Sequence, residues 1–189
     1  MLFFIHILFF PLTLLSVISP SAAGIFATTD GKIDFTSNAP LELITASSSS
    51  LRGALNTEKN TFAFTIGVQS FRGFNSPLQH EHFNEKFMES DVYPHATFQG
   101  KMIESIDINR KGETTVRAKG QLTIHGVSQE RIIRSTVTVA EGKITIDARF
   151  SVLLSDHNIS IPKIVSQKIA EEIEVHVNAE MVQKSASER

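Results

Sequence analysis

His80-Glu81-His82 is the densest group of metal-ligating and proton-carrying side chains in the sequence, and His125 and His157 follow at longer range. On a strand, an H-x-H pair projects both imidazoles to one face, where a third histidine from a neighbouring turn would complete a site for a divalent metal. This segment reads as helical, and residues two apart on a helix diverge by about 200°. Neither a helical H-E-x-x-H pattern nor a cysteine ligand supports a metal site. The plainer reading makes His82 a packed, hydrogen-bonded anchor, leaves His80 exposed and expects no metal.

Ser155, Asp156 and His157, with Glu81, Glu85 and Glu89, supply the residue types of an acid-base or nucleophilic site. There is no G-x-S-x-G elbow to expose a serine and no carboxylate pair whose spacing forces a contact. These groups read as turn caps and solvated charges, with no catalytic residue expected. Arg131 and Arg134 offer paired donors to an anionic headgroup, but strand alternation puts them on opposite faces.

The elements that would position these residues are strands. Phe62, Phe64, Ile66 and Val68 share one face of an alternating run, and Val116, Ala118, Gly120, Leu122 and Ile124 share that of another. The pattern recurs at Ile144, Ile146, Ala148, Phe150 and Val152, and at Ile173, Val175, Val177, Ala179 and Met181. Weaker runs occupy Gly31 to Phe35, Leu41 to Ser47, Thr97 to Ile103 and Arg131 to Val139. Turn signals at Asn38-Ala-Pro40, Asn56 to Asn60, Asn109 to Gly112, His125-Gly126 and Glu141-Gly142 separate them. Ser47 to Ser50 reads as a loop or a strand end.

About eight antiparallel strands with short connections suggest a barrel or sandwich, and a barrel removes exposed edges. Small inward residues among large ones leave room for a lumen. Two stretches break the pattern. Pro77 to Glu89 carries Phe83 and Phe87 four residues apart, as a short amphipathic helix or compact turn would. Pro162 to Ala170 places Pro162 as a first helical residue, with Ile164, Val165 and Ile169 able to dock. Both read as lids or plugs.

The 189 residues suffice for one domain, and the net charge of −2 gives no electrostatic footprint for nucleic acid. The chain has no cysteine, which excludes disulfides, thiol nucleophiles and thiolate metal sites. Met1 to Ser19 is almost wholly apolar and is followed by Ser21-Ala22-Ala23-Gly24. Residues 1–23 therefore read as a secretory signal peptide cleaved after Ala23, an uncleaved anchor being the alternative. Residues 24–183 read as the barrel domain and 184–189 as a polar tail.

Three motifs carry a resemblance to the YceI-like family of secreted, lipocalin-like barrels over roughly Gly31 to Val182. His82-Phe83 followed by Phe87 resembles the family's R-D-x-H-L stretch and the aromatic after it. Val92-Tyr93-Pro94 with Ala96-Thr97-Phe98 resembles its k-Y-P-x-i-x-F motif. Gly120-x-Leu122-Thr123-Ile124-x-Gly126-Val127 resembles its G-x-L-T-I-x-G-V signature. The resemblance implies an all-β fold, a single antiparallel eight-stranded lipocalin-like barrel with one or two short helices. It also implies an apolar lumen, in some members holding a long isoprenoid chain, in the periplasm or outside the cell.

This sequence departs from the family where Gln79 and His80 replace an Arg-Asp pair, and where Asp156-His157-Asn158 replaces an aromatic and a glycine near the last hairpin. Asn158 can keep a left-handed turn. Trp is absent throughout.

The expected function is a non-enzymatic carrier that sequesters an amphiphile such as an isoprenoid or quinone-like lipid, with no other cofactor. Burial of such a chain contributes about 0.8 kcal/mol per methylene. The expected lumen residues are Phe62, Phe64, Ile66, Val68, Phe98, Leu122, Ile124, Ile144, Ile146, Phe150, Val175 and Val177. His80, His82, Phe83 and Phe87 are expected at the rim or lid. Membrane contact is expected only transiently, or through an uncleaved N-terminal segment, and a dimer is compatible with the sequence. Two other readings stand beside this one: a barrel filled by its own side chains that acts as an interaction or stress-response module through its loops, and a metal-dependent enzyme using His80, His82 and His125.

Overall fold

The computed structural model describes residues 24–184, so the expected leader at residues 1–23 and the tail at 185–189 lie outside the described residues. Eight strands run β1 (Ile25–Asn38), β2 (Leu43–Asn56), β3 (Thr61–Gly67), β4 (His95–Met102), β5 (Gly112–Ile124), β6 (Val127–Ala140), β7 (Lys143–Leu153) and β8 (Glu172–Gln183). Each pairs antiparallel with the next, and β8 returns to β1, closing the barrel. Every run of alternating residues read from the sequence falls on one of these strands, with Leu41, Glu42, Val68 and Ile103 just outside their ends.

β1 and β2 are longer than their alternation suggests, for one physical reason. In β1 the inward, buried positions are Phe26 and Thr28, then Gly31; in β2 they are Ile44, Ala46 and Ser48, then Leu51 and Leu55. The period-two pattern slips by one residue in both strands, and the pairing shifts at the same place, between Thr28 and Gly31 and between Gly31 and Ile33. An extra residue of this kind bends a strand and strengthens its twist, which a closing barrel needs. Ser47 to Ser50, expected as a loop or strand end, therefore lies inside β2. Ser48 is buried there against the Ser70 hydroxyl at 2.7 Å.

The β5–β6 turn is tight because His125 and Gly126 both take positive φ, 50° and 72°. This is the left-handed pair a two-residue hairpin requires. A Cβ at Gly126 would overlap the Tyr93 ring, so the tyrosine of the Tyr93-Pro94 motif packs directly under the glycine of the Gly120 to Gly126 motif. Asn158 does hold a left-handed conformation, φ 58° and ψ 24°.

The longer irregular segments, except the loop from Ile103 to Lys111, gather at one end of the barrel, where β1, β3, β5 and β7 finish; the short turns at 57–60 and 141–142 lie at the other. α1 (Pro77–His82) begins there, with Ser76 accepting the Gln79 amide as its N-cap and Pro77 in the first turn. It runs into a wider π-type turn over Phe83–Phe87, closed by the Met88 amide on the Phe83 carbonyl at 2.9 Å. The Pro162 to Ala170 stretch forms only a single 3-10 turn, Lys163–Val165, with Pro162 just before it.

The opposite end is solid: Phe26, Val139, Ile144 and Met181 fill it, packed in one buried cluster with Leu55, Phe62, Met102, Ile106, Val116, Val137 and Ile146. A second cluster nearer the irregular end centres on Leu51, Ile66, Phe71 and Ala179, with Phe35, Phe74 and Phe83 against it.

Candidate functional site

Between the solid end and the irregular end the barrel encloses an apolar cavity of about 550 Å³. Phe35, Phe64, Phe71, Phe74, Phe83, Phe98 and Phe150 contribute rings to it, and Ile33, Ala118, Ala148, Val175 and Val177 contribute aliphatic wall. The polar groups that reach it are few: Ser37, Glu42, Thr65, Ser76, Gln79, His82, Thr97, Ser135 and Lys168. Glu42, Ser76, Gln79, His82 and Lys168 all belong to the segments at the mouth. An apolar body with polar groups concentrated at one end is the shape of a site for an amphiphile.

Of the expected lumen residues, all but Ile144 line this cavity. Ile144 is fully buried in the solid end beside Met181, so it plugs the barrel and does not face the open space. Its alternation is right and its depth along the strand is what differs. Ile33, Phe35, Phe71 and Phe74 were not among the expected lumen residues. Phe35 carried a signal in the weak alternation of Gly31 to Phe35. Phe71 and Phe74 lie in an irregular segment, where only the recurrence of Phe at 71, 74 and 83 hints at a cluster.

The small inward residues divide into two roles. Ala96, Ala118 and Ala148 border the cavity and leave it space. Gly53, Gly100 and Gly120 do not: a Cβ at Gly53 would overlap the Phe64 ring, one at Gly120 would press on Phe62, and Gly100 and Gly120 face each other across β4 and β5 with their backbones too close for side chains. These glycines seat the rings of Phe62 and Phe64 against the wall. Phe62 in turn packs on Phe98, ring centres 4.8 Å apart.

At the mouth, Phe83 stacks on Phe35 at 5.4 Å and meets Phe74 at 5.0 Å, which fastens the lid to the barrel through aromatic contacts. Phe83 and Phe87 both border the cavity, as does His82. The two histidines exchange the roles read from the sequence. His80 is the packed one, stacked on Phe74 at 5.1 Å, whereas His82 is exposed at the mouth. Because the helix starts at Pro77, His80 falls on the side that carries Phe83 and Asn84, three and four residues on, while His82 follows Leu78. Gln79, in place of the family's charged residue, rebuilds the local polar contact: its amide nitrogen donates to Glu42 at 3.0 Å and its oxygen accepts the Asn75 amide.

The other candidate chemistry disperses. His125 contacts Glu89 at 2.7 Å and the His157 carbonyl at 3.1 Å, away from His80 and His82. His157 is itself fully buried, its Nδ1 on the Val127 carbonyl at 3.0 Å. Among the described residues no group of three His, Cys, Asp or Glu side chains is placed to hold a metal ion. Arg131 donates to the Ser151 carbonyl at 2.7 Å, Arg134 is exposed opposite Arg117, and neither borders the cavity.

The two carboxylates with shifted ionisation also lie outside the cavity. The Arg117 guanidinium hydrogen-bonds Glu104 and holds its carboxyl below the usual range, and His176 does the same for Asp147 on the outer wall.

Three solved structures share this architecture. A polyisoprenoid binding domain from Saccharophagus degradans, implicated in plant cell wall breakdown, superposes with a TM-score of 0.70 at 15% identity, over 85% of this chain and 99% of that one. Burkholderia cenocepacia BcnA gives 0.64 at 16% identity, over 80% and 96% of the two chains. The Campylobacter jejuni YceI protein gives 0.54 at 17% identity, over 84% and 85%. No curated protein matches the chain in sequence. The YceI-like domain model matches residues 10–181, and with the closed eight-stranded barrel this establishes that the chain belongs to the YceI-like domain family.

Proposed function

We propose that this protein is a non-catalytic carrier that holds an amphiphile with a prenyl-like hydrocarbon chain, such as an isoprenoid or a quinone, in the barrel. We place its work in the periplasm or outside the cell, reading the apolar stretch of residues 1–23 as a secretory leader. The observation that carries the proposal is the cavity: about 550 Å³ of mostly apolar space, closed at one end and with its charged groups only at the other. The polyisoprenoid binding of the Saccharophagus degradans domain, which shares the fold, supports the same class of ligand.

At about 27 Å³ per carbon for liquid-like hydrocarbon, the volume takes about 20 carbons, or about four isoprene units. Along β5 the wall runs from Ile124 to Val116. At about 3.3 Å per residue and a tilt near 40° this makes the cavity about 20 Å deep. The barrel interior is open over most of its length, which supports the carrier reading over one in which its own side chains fill it.

Native mass spectrometry of protein prepared from its own host, followed by organic extraction, tests the proposal. One bound amphiphile per barrel is the expected result. Repeated preparations without lipid, which also fail to bind added prenyl alcohols, would end it.

A further inference from the structure

Each buried polar side chain but one has a hydrogen-bond partner among the described residues. Thr28 donates to Asp30, Ser37 accepts the Ala170 amide, Ser48 meets the Ser70 hydroxyl, Ser90 accepts from Gln69, and His157 contacts the Val127 carbonyl. Ser135 is also buried, at 9% exposure, yet its hydroxyl has no partner among the described residues. It borders the cavity.

The position of Ser135 gives that hydroxyl its meaning. Ser135 pairs with Val116 of β5 on one side and Ala148 of β7 on the other, and its inward neighbours along β6 are Ile133 and Val137. Val116 is the last residue of β5 to border the cavity, so Ser135 lies near the closed end, about 20 Å below Ile124. The charged groups of the cavity, Glu42, His82 and Lys168, are all at the mouth.

A hydroxyl set in hydrocarbon costs free energy until something hydrogen-bonds it. An ordered water needs two or more polar partners, and the four side chains around Ser135 offer none. A ligand atom can supply what the wall does not. That atom must be neutral, because a carboxylate or phosphate at this depth would exchange its hydration for a single hydroxyl.

We propose that Ser135 reads a neutral hydrogen-bonding group, a hydroxyl, carbonyl or amide, on the end of the ligand that enters the barrel first. Such a group reaches the closed end in two ways: on an amphiphile that lies head down, or on a hydrocarbon chain that is polar at both ends. The inference rests on the carrier reading above and narrows its ligand to molecules with a polar atom at the buried end.

Calorimetric binding of geranylgeraniol, and of its ω-hydroxy derivative with a second hydroxyl at the far end of the chain, tests it on the parent chain and Ser135→Ala. The variant should lose about tenfold in affinity for the ω-hydroxy derivative. A like loss for geranylgeraniol identifies head-down entry, whereas an unchanged affinity for it identifies the chain polar at both ends. Without ligand, Ser135→Ala should melt at the same temperature as the parent or higher, since the hydroxyl has no partner to lose. Equal affinity of parent and variant for both ligands, or a lower Tm of the ligand-free variant, would overturn the role of Ser135 and leave the carrier reading in place. If neither ligand binds the parent chain, the carrier reading falls and the role of Ser135 falls with it.

Discussion

Single residues set how the wall is built. Gly53 and Gly120 both lack room for a Cβ, but what stands in the way differs: the Phe64 ring at one, the Gln99 backbone carbonyl at the other. A ring can swing toward the cavity, whereas a hydrogen-bonded strand cannot move without breaking its ladder. Gly53→Ala should therefore cost about 1 kcal/mol and Gly120→Ala about 3 kcal/mol or more, measured by chemical denaturation.

A second residue-scale expectation concerns pH. His176 hydrogen-bonds Asp147 and lowers its ionisation below the ordinary aspartate value of about 3.9. The folded state thus favours the carboxylate. Its contribution is complete above that value and is lost as pH falls through the lower folded value. Asp147 is partly solvated, so the effect is small. Asp147→Asn should flatten the acid limb of a Tm-against-pH profile and change Tm little in the opposite limb. An unchanged acid limb would contradict this.

At the scale of elements, the strands were readable because one side of each faces apolar material and the other faces water, which imposes a period of two. That signal failed where β1 and β2 each carry an extra residue, since the inward set changes parity and neither half looks long enough to be a strand. The site was less legible than the fold. Alternation tells inward from outward and says nothing about depth, so Ile144 looked the same as Ile146, and the histidines of the lid depended on where α1 starts. Phe71 and Phe74 reach the cavity from an irregular segment that no periodicity describes.

The lid itself is short and rests on its cap and its aromatic contacts. Ser76→Ala should cost about 1 kcal/mol locally and loosen Pro77 to Phe87 without unfolding the barrel. Faster amide exchange confined to those residues is the expected result. Exchange that rises throughout the barrel would mean that the lid is part of its cooperative core.

At the scale of the molecule, the barrel combines a filled end that supplies stability with an open interior for binding. Truncation should therefore separate the two. Met181→Ala, in the solid end, should cost about 2–5 kcal/mol, whereas Phe150→Ala, already facing open space, should cost less and weaken hydrocarbon binding more. The filled end also limits chain length. Affinity in a series of prenyl alcohols should rise with each unit to about 20 carbons and then level off, because further units have no apolar wall to meet.

The central claim is that the cavity is open and takes a hydrocarbon chain. The most direct measurement compares calorimetric binding of a 20-carbon prenyl alcohol by the parent chain and by Ala148→Phe, which places a ring in the cavity beside Val177. One-to-one binding by the parent, abolished in a variant whose Tm is unchanged or higher, is the predicted result. Equal binding by both proteins, or none by either, would contradict it.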